Sequence, residues 1–443
     1  MADQYYFRGG VHPAEGKKLS SGQAIQVPPL LESYVVPLMQ HIGAPPKPVV
    51  KKGDTVLRGQ LLAQPGGFIS AAIHSPTSGT IKDIGVCMGP VGLETPAITI
   101  ASDGDDTPDE SLTPLNWHTA SRDTLRERIA AAGIVGMGGA GFPANVKLTP
   151  PLEKPIDTVI LNGVECEPFL TADHRLMLEQ CDRIIQGALI LGRILDVTDI
   201  FIGIEENKPD AIEVMRQKTA GTTITVAGLR VRYPQGAEKQ LIYAVTGRKV
   251  PTGGLPMDVR CVVNNVATCA AVADAVNDGK ALYERVTTIT GTPVTTPGNW
   301  LLRVGTSVEE ALKLVGGVKK DPAKLLLGGP MMGMSIYDLS VPVMKNTSGI
   351  LLLASDEVEQ FTSNACIRCG RCVDVCPMTL MPGSLSVAIE NEAFDLAEAG
   401  FAMDCIECGA CAYACPSHRP LVQHMRRAKA EITAARRAAA AKK

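Results

Sequence analysis

The 443-residue chain has little net charge, few aromatic side chains and no long apolar run. A formal charge of −3 provides no basic field, so the composition does not indicate a nucleic-acid partner. No apolar run approaches the roughly 18 residues that a membrane-spanning helix needs. The start, MADQYYFRGG, lacks the basic-then-apolar pattern of a signal sequence. We therefore expect a cytoplasmic protein of several domains, with any membrane attachment peripheral.

The cysteines do not form the disulfide framework of a small secreted protein, because eight of the thirteen lie in two short runs. Both runs, starting at Cys366 and Cys405, have the spacing Cys-x2-Cys-x2-Cys-x3-Cys-Pro. This spacing is typical of bacterial ferredoxins with two [4Fe–4S] clusters, in which the fourth cysteine of each run ligates the other cluster. Paired Cys-x2-Cys motifs also bind zinc, but the third cysteine and the closing proline disfavour that alternative.

This interleaved pattern predicts two sets of cluster ligands, and each cluster carries one electron at a time. The first cysteine set is Cys366, Cys369, Cys372 and Cys415. The second cysteine set is Cys376, Cys405, Cys408 and Cys411.

The first hundred residues are rich in glycine, proline and short apolar segments. Residues 49–63 predict two strands around a Lys52-Gly53-Asp54 turn, and residues 74–85 predict another strand pair. This arrangement resembles the barrel-sandwich of biotinyl and lipoyl domains. Such domains carry their group on a hairpin lysine, yet residues 64–73 contain none. We therefore expect a structural or docking domain, followed by an acidic linker at 101–114.

The remaining segments predict an α/β multidomain protein. Strand and helix patterns alternate from 115 to 275, including one long helix at 175–195, which indicates a parallel sheet. A β-rich segment follows, with a helix capped by Ser307. The alanine-rich basic end is predicted to be a helix that is either solvated or in contact with anionic lipid. The predicted domains are a barrel-sandwich at 1–100, a Rossmann-like domain at 115–275, a β-grasp (SLBB-like) domain at 284–345, a two-cluster ferredoxin-like domain at 355–420 and a basic helical tail at 421–443.

A glycine-rich segment at 133–148 contains Gly136, Gly138 and Gly141 in a G-x-G-x-x-G spacing. It follows a predicted helix rather than a strand, so it is not an ordinary dinucleotide fingerprint. The alternatives are a turn that needs positive φ and a loop whose N–H groups approach a phosphate. In the second case Lys147 would add charge and Phe142 a stacking face.

Three later segments place polar residues after predicted strands. Glu165 and Glu167 follow a buried strand, at the sheet edge where ligands bind in open α/β folds, although a solvated strand end is the alternative. Residues 233–242 lead through glycine into a helix. Asn264 and Asn265 lie at a strand-to-helix turn, where helix caps and phosphate donors are both open alternatives.

Taken in order, GxGGAGFPxxxK, NGxExEPxxxxDxR, YPxGxEKxLI and NNVAT resemble the flavin- and NADH-binding subunit of respiratory complex I over residues 130–275. The likeness extends over nearly the whole chain to the C-subunit family of Rnf complexes (RnfC, also called RsxC). That family adds FRGGVHP at 7–13, the lysine-free barrel-sandwich, GGPMMG at 328–333 and PV-x-K-x-T-x-GI at 342–350.

The resemblance implies non-covalent FMN, two [4Fe–4S] clusters and NAD(H) as substrate. Val164 replaces an aspartate of the complex I motif, so the hydrogen bonds to the flavin must differ there. No side chain is required as a general acid or base, because the cofactors supply the hydride chemistry. The implied flavin contacts are Gly136, Gly138, Gly139, Gly141, Lys147 and Asn162, with Asn264, Asn265 and Thr268 at the phosphate end. The implied nucleotide contacts are Phe142, Glu165, Glu167, Gly236 and Glu238.

The implied function is that of a peripheral NADH dehydrogenase-type subunit at the cytoplasmic face of the bacterial inner membrane. It would oxidise NADH, or reduce NAD, and exchange electrons with other Rnf subunits, including an iron–sulfur subunit, while the complex moves ions. Two alternatives are a non-catalytic electron-relay or docking subunit and the cobalamin reductase of bacterial microcompartments. Stoichiometric FMN would argue against the first, and FRGGVHP with the barrel-sandwich argues against the second.

Overall fold

The computed structural model describes residues 6–358 and 362–441. Parts of the predicted first domain, cluster domain and tail, at 1–5, 359–361 and 442–443, lie outside the described residues. The first strands form a four-stranded sheet of order β2-β8-β7-β4 and a three-stranded sheet of order β3-β5-β6. Apolar side chains of both sheets, among them Val36 and Leu62, share one buried core, so the two sheets make a sandwich. The strand β1 (Ile25–Gln26) belongs to another sheet. The strands of the sandwich are β2 (Ser33–Pro37), β3 (Lys47–Pro48), β4 (Thr55–Val56), β5 (Leu61–Gln64), β6 (Ile73–His74), β7 (Gly79–Met88) and β8 (Glu94–Ser102).

The strand pairs predicted for this region are wrong, because the two strands of each predicted pair do not pair with each other. β4 pairs with β7, whereas β5 pairs with β3 and β6, so β3 and β4 lie in different sheets, and so do β6 and β7. The turn between β4 and its preceding segment forms as predicted, with Gly53 at a φ of +92°. Local pattern identifies a strand and its turn, but the partner depends on the whole sandwich.

Residues 6–26, here called the N-terminal strap, add no strand to the sandwich, although the predicted domain began at residue 1. The amide of Gly10 donates to the carbonyl of Val375 at 2.8 Å, and Val11 pairs with Tyr233. Farther along, β1 pairs in parallel with a strand of the third domain through Ile25 and Asn299. The strap therefore connects domains that are far apart in sequence.

The second domain contains a four-stranded, all-parallel sheet of order β11-β10-β9-β12. Successive strands are added on one side of β9, and then β12 is added on its other side. This reversal creates a switch point between β9 and β12, where open α/β sheets bind ligands. The elements are α1 (Arg122–Ala131), α2 (Ala144–Lys147), β9 (Thr158–Asn162), α3 (Ala172–Glu179), α4 (Cys181–Leu195), β10 (Asp199–Glu205), α5 (Pro209–Thr219), β11 (Ile224–Leu229), α6 (Glu238–Thr246), β12 (Cys261–Asn265) and α7 (Val266–Asn277).

The single helix predicted at 175–195 is two helices. Gln180, at a φ of −133°, separates α3 from α4, and the apolar periodicity alone does not show this break. Inside α4, Gly187 packs directly on α7, because a Cβ there would lie 1.9 Å from the carbonyl oxygen of Cys269. This close approach fixes α4 and α7 beneath the sheet.

The third domain is a six-stranded mixed sheet of order β1-β14-β13-β17-β15-β16. The predicted boundary at 345 is wrong, because β17 pairs with both β13 and β15 inside the sheet. Ser307 caps its helix as predicted, since its hydroxyl accepts the amide of Glu310 at 3.1 Å. The elements are β13 (Glu284–Thr290), β14 (Gly298–Arg303), α8 (Val308–Leu314), β15 (Lys324–Leu327), β16 (Met334–Ile336) and β17 (Gly349–Leu353).

The fourth domain is helical, and the predicted separate tail is part of it. Met425, Ala428 and Ile432 of the last helix are buried with Leu385 and Ile389 in one core. Several of its basic side chains are paired with this domain's carboxylates. The helices are α9 (Arg371–Asp374), α10 (Pro382–Glu390), α11 (Phe394–Ala399), α12 (Ala410–Tyr413) and α13 (Leu421–Ala441). Within residues 6–358 and 362–441, no helix is long and apolar enough to cross a membrane.

Candidate functional site

The switch point brings together the polar residues that end β9 and β12. Asn162 and Asn265 are direct partners in the register of the two strands. The Asn265 oxygen accepts the amide of Ala267 at 2.9 Å, so this residue is the cap of α7. Its Nδ2 donates to Asp173 at 2.6 Å. Asn265 is therefore a helix cap, which is one of the two alternatives that the sequence left open, and its Nδ2 is bonded to Asp173.

The glycine loop (residues 133–142) lies over this crevice. The amide of Met137 donates to the Thr268 hydroxyl at 2.9 Å, and the amide of Gly136 closes the loop on the carbonyl of Phe142 at 2.8 Å. A Cβ on Gly138 would lie 2.8 Å from Nδ2 of Asn265, whereas a Cβ on Gly139 would meet nothing within 4 Å. The loop therefore packs closely against β12 at Gly138 and leaves open space in front of Gly139.

Gly141 is required by the backbone. Its φ is +70°, and a Cβ there would lie 2.8 Å from the carbonyl oxygen of Gln40 in the barrel-sandwich domain. A turn with positive φ and a ligand loop were alternatives in the sequence. The structure shows that this loop contains such a turn while also contacting β12.

Lys147 and Glu238, predicted on opposite sides of the site, form an ion pair at 2.9 Å. Lys147 also donates to the carbonyl of Val263 at 3.0 Å. Nearby, the Asn162 amide donates to the carbonyl of Gly236 at 2.8 Å. Four predicted site residues thus meet in pairs around the ends of β9 and β12.

Glu165 is turned into the protein. Its carboxylate accepts the amides of Asp173 at 2.7 Å and His174 at 3.3 Å, at the start of α3. Lys17 of the N-terminal strap donates to the carbonyls of Glu165 and Glu167, at 2.9 Å each. In this structure Glu165 therefore organises the loop after β9.

Glu167 links the second domain to the third, and its neighbour Tyr233 links the second domain to the fourth. Its carboxylate accepts the amides of Met331 at 3.1 Å and Met332 at 2.8 Å, from the GGPMMG turn. Tyr233 lies beside it and donates to the carbonyl of Cys408 at 2.6 Å. Burial raises the pKa of Glu167 to about 7, although these amides and Lys17 act in the opposite direction.

Asp173 is a site residue that the sequence reasoning did not select. Burial, together with the neighbouring Glu165 carboxylate, raises its pKa, while Asn265 and Arg285 oppose this. It lies in the NGxExEPxxxxDxR segment, so the signal was present. Its place beneath Asn265 depends on the start of α3, which the predicted long helix did not show.

The first cysteine set is gathered at the surface. Burial raises the pKa of the Cys372 thiol, and the neighbouring Cys415, Cys366 and Cys369 raise it further. Cys369 is exposed and the other three are partly buried. Cys415 belongs to the other run in sequence, so the structure brings together residues of both runs, and the assignment of the cysteines to each cluster stays a prediction.

The second cysteine set lies deeper. Burial raises the pKa of the Cys411 thiol, and Cys408, Cys405 and Cys376 raise it further. All four line one cavity, and Cys376, Cys408 and Cys411 are each less than a tenth exposed. Within residues 6–358 and 362–441, no three His, Cys, Asp or Glu side chains are placed to hold a single metal ion. Eight thiols in two sets are the ligand number that two [4Fe–4S] clusters need.

The crevice also has features that suit a bound flavin nucleotide. The Nδ2 atom of Asn264 is buried and has no hydrogen-bond partner among the described residues. Gly138 and Gly139 are exposed, and Gly139 leaves open space in front of the backbone. An unused donor and an accessible glycine backbone can both bind a phosphate or a flavin ring edge.

Four family models match the chain in the order of its domains. They are the RnfC barrel sandwich hybrid domain at residues 5–105, the Nuo51 FMN-binding domain at 129–274, the SLBB domain at 286–335 and the 4Fe-4S dicluster domain at 359–416. The fold and the site thus define a flavin and iron–sulfur electron-transfer protein, with FMN and [4Fe–4S] clusters as its cofactors.

Several curated relatives align with almost the whole chain. The C subunit of the proton-translocating ferredoxin:NAD+ oxidoreductase complex of Clostridium ljungdahlii is 49% identical over 97% of this chain and 94% of its own length. Its Na+-translocating counterpart from Acetobacterium woodii is 42% identical over 97% and 98%. The C subunit of the ion-translocating oxidoreductase complex of Rhodobacter capsulatus is 43% identical over 97% and 83%. The chain belongs to the RnfC family, the C subunits of ion-translocating oxidoreductase complexes.

Proposed function

We propose that this chain carries electrons between NADH and an iron–sulfur subunit of an Rnf complex, in a fixed spatial order. The order is the β9–β12 crevice, then the second cysteine set, then the first cysteine set. When bound, FMN exchanges a hydride with NADH and each [4Fe–4S] cluster carries one electron. The residues of the chain bind these groups, orient them and exclude water.

The observation that carries this order is the difference in burial between the two cysteine sets. The second set is packed against the flavin domain, because Tyr233 donates to Cys408 and the Gln240 amide donates to the carbonyl of Pro377 at 3.2 Å. The first set includes the exposed Cys369. A cluster next to the flavin is placed to exchange electrons with FMN, and a cluster at the surface is placed to exchange them with another subunit.

The proposed flavin contacts follow from the crevice. Gly136, Gly138, Gly139 and Gly141 would bring the backbone close to the flavin, and Asn264, Asn265 and Thr268 would hold the phosphate end. Lys147 and Asn162 complete this set. The free Nδ2 of Asn264 supports the phosphate assignment, because a buried donor without a partner is costly.

A second set of residues around the same crevice is proposed to contact the nicotinamide nucleotide. Phe142 would offer its ring to the nicotinamide nucleotide, with Glu167, Gly236 and Glu238 near it. Glu165 belongs to the same group, and its bonds to the start of α3 suggest that it acts by holding the loop.

The partners are proposed from the relatives, whose names place them in ion-translocating complexes. Attachment would be peripheral, at the cytoplasmic face of the inner membrane, through other Rnf subunits. The first cysteine set, which includes the exposed Cys369, would face the iron–sulfur subunit that receives or supplies electrons.

The order can be tested anaerobically with Cys369→Ala and Cys408→Ala variants of the reconstituted chain. In Cys369→Ala, NADH should still reduce the remaining cluster. In Cys408→Ala, NADH should leave the first-set cluster oxidised, although dithionite reduces it. EPR and visible spectra measure both. Rapid NADH reduction of the first-set cluster in Cys408→Ala would contradict the order, and failure of NADH to bleach flavin in the unmodified chain would contradict the function itself.

The same spectra test the pairing of the cysteines. Cys376→Ala should lose the same EPR signal as Cys408→Ala, and Cys415→Ala the same signal as Cys369→Ala. If each run instead ligated its own cluster, Cys376→Ala would resemble Cys369→Ala.

A further inference from the structure

The carbonyls of the glycine loop are held from the SLBB-like domain. Lys345 Nζ donates to the carbonyl of Gly133 at 2.7 Å, and an Arg285 NH group donates to that of Met137 at 2.9 Å. The Asn346 amide donates to the carbonyl of Gly139 at 3.2 Å. Three carbonyls within seven residues are thus bonded by one neighbouring domain.

The two cations are deeply buried, with Lys345 only 1% exposed and Arg285 only 2%. Burial lowers the pKa of Lys345 to about 7 and that of Arg285 to about 10. Their hydrogen bonds go to backbone carbonyls, including Ala72 for Lys345 and Lys345 itself for Arg285. Apolar side chains could fill the same space without this desolvation cost, so the arrangement needs a reason other than packing.

The bonds turn the loop amides in one direction. In a trans peptide the C=O and the following N–H point to opposite sides. Holding the carbonyls of Met137 and Gly139 on the SLBB-like side therefore turns the amides of Gly138 and Ala140 away from that domain. Both residues are exposed. Oriented, accessible amides form a binding site for phosphate or for flavin ring acceptors.

Arg285 is also connected to the same loop through Asp173 and Asn265. Arg285 interacts electrostatically with Asp173, and Asp173 accepts the amide of Asn265. Asn265 in turn lies against Gly138. Arg285 therefore acts on both walls of the crevice, directly on the glycine loop and indirectly on the end of β12.

We propose that Arg285, Lys345 and Asn346 are positioning residues for FMN, and that the SLBB-like domain is a wall of the flavin site. They act through the glycine loop and need not touch the cofactor. This inference rests on the proposed placement of FMN in the crevice and adds the elements that give the loop its shape.

The test measures FMN affinity separately from stability. Apoprotein variants Arg285→Gln, Lys345→Met and Asn346→Ala are titrated with FMN by fluorescence, and their thermal melting is recorded. Arg303→Gln is the matched control, because Arg303 is a half-buried cation on the adjacent strand that bonds Pro76 and Asp106 instead of the loop. We expect at least a tenfold rise in the FMN Kd for Arg285→Gln and Lys345→Met, and less than a twofold rise for Arg303→Gln.

Two further variants keep the result interpretable. Asn346→Ala removes a partly exposed group, so it should raise the FMN Kd severalfold with little change in melting. Arg285→Lys should recover part of the affinity lost in Arg285→Gln, because it can still donate to the Met137 carbonyl. The inference fails if the unmodified chain binds FMN and these variants bind it equally well, or if Arg303→Gln weakens it as much. If the unmodified chain binds no FMN, the proposed function fails first.

Discussion

The phenol of Tyr233 donates a hydrogen bond to the main-chain carbonyl of Cys408 at 2.6 Å, across 175 residues of sequence. Tyr233 is 3% exposed and lies beside Glu167. Val11 and Ala410 are buried with Tyr233 and Cys408 in a small apolar cluster. One side chain therefore joins the flavin domain to the loop of the second cysteine set, and contacts of this kind fix the distance between two redox centres.

Tyr233→Phe should destabilise this junction. A net loss of about 1 kcal/mol is expected for the hydrogen bond, and more if the Cys408 carbonyl is left buried without a partner. The melting temperature should fall, while NADH still bleaches the flavin. Tyr337→Phe is the control, because Tyr337 is 78% exposed. Equal melting of both variants would contradict a role of the phenol in joining the domains.

Gly138→Ala and Gly139→Ala should differ in their effect on FMN. A Cβ at Gly138 would lie 2.8 Å from Nδ2 of Asn265, so the loop or the asparagine must move. A Cβ at Gly139 meets nothing within 4 Å. We expect Gly138→Ala to lower FMN per chain after gel filtration, and Gly139→Ala to lower it less. Both glycines are proposed to face the ligand, so the larger loss at Gly138 would come from the added clash with Asn265, and equal or reversed losses would contradict the importance of that contact.

Glu167→Gln should remove a pH dependence of stability. The pKa of Glu167 is about 7 in the folded chain, above its ordinary value of 4.5. Between these values the folded state holds the proton while the unfolded state has lost it, so this group makes stability fall as pH rises from about 4.5 to 7. Above about pH 7 both states have lost the proton, so this group no longer changes the stability.

Melting of the unmodified chain and of Glu167→Gln from pH 5 to pH 8 measures this effect as a difference. The advantage of the glutamine variant should grow as the pH rises and then become constant. Asp173 has a pKa raised in the same direction, so only the difference between the two proteins is informative. A pH-independent difference would contradict the buried position of the carboxyl.

Met425→Ala should destabilise the cluster domain by about 2–5 kcal/mol, because Met425 is 1% exposed in its core. Gln423→Ala, at an exposed position of the same helix, should change stability by less than about 0.5 kcal/mol. Denaturant titration of the cluster absorbance measures both.

Truncation after Pro420, which removes α13, should lower the iron content of the chain. Retention of both clusters in the truncated chain would mean that α13 is dispensable for this domain.

The sequence was informative where a structure depends on nearby residues. The cysteine spacing, the cap at Ser307 and the order of the four domains all follow from local pattern, and the structure contains them. The glycine loop was correctly expected to follow a helix. These features need only a few residues in fixed spacing, which a single chain displays directly.

Other features depend on contacts between distant segments, which no local pattern records. For example, the sequence does not show that the carboxylate of Glu165 accepts an amide at the start of α3. The partners of β17 and the docking of α13 extended two domains beyond their predicted ends. In the sequence, Lys345 is only the lysine of the PV-x-K-x-T-x-GI segment. Its role depends on the partner of its Nζ, the carbonyl of Gly133, which lies 212 residues earlier in the sequence.

The N-terminal strap also has a consequence for how the chain is made. Its residues are synthesised before their partners, which are Glu165, Tyr233, Asn299 and finally Val375. That last partner emerges roughly 365 residues after Gly10, a delay of roughly 20–70 s at 5–20 residues per second. During this time the strap cannot complete its contacts. Closure of the strap therefore requires that synthesis has passed Val375 in the fourth domain.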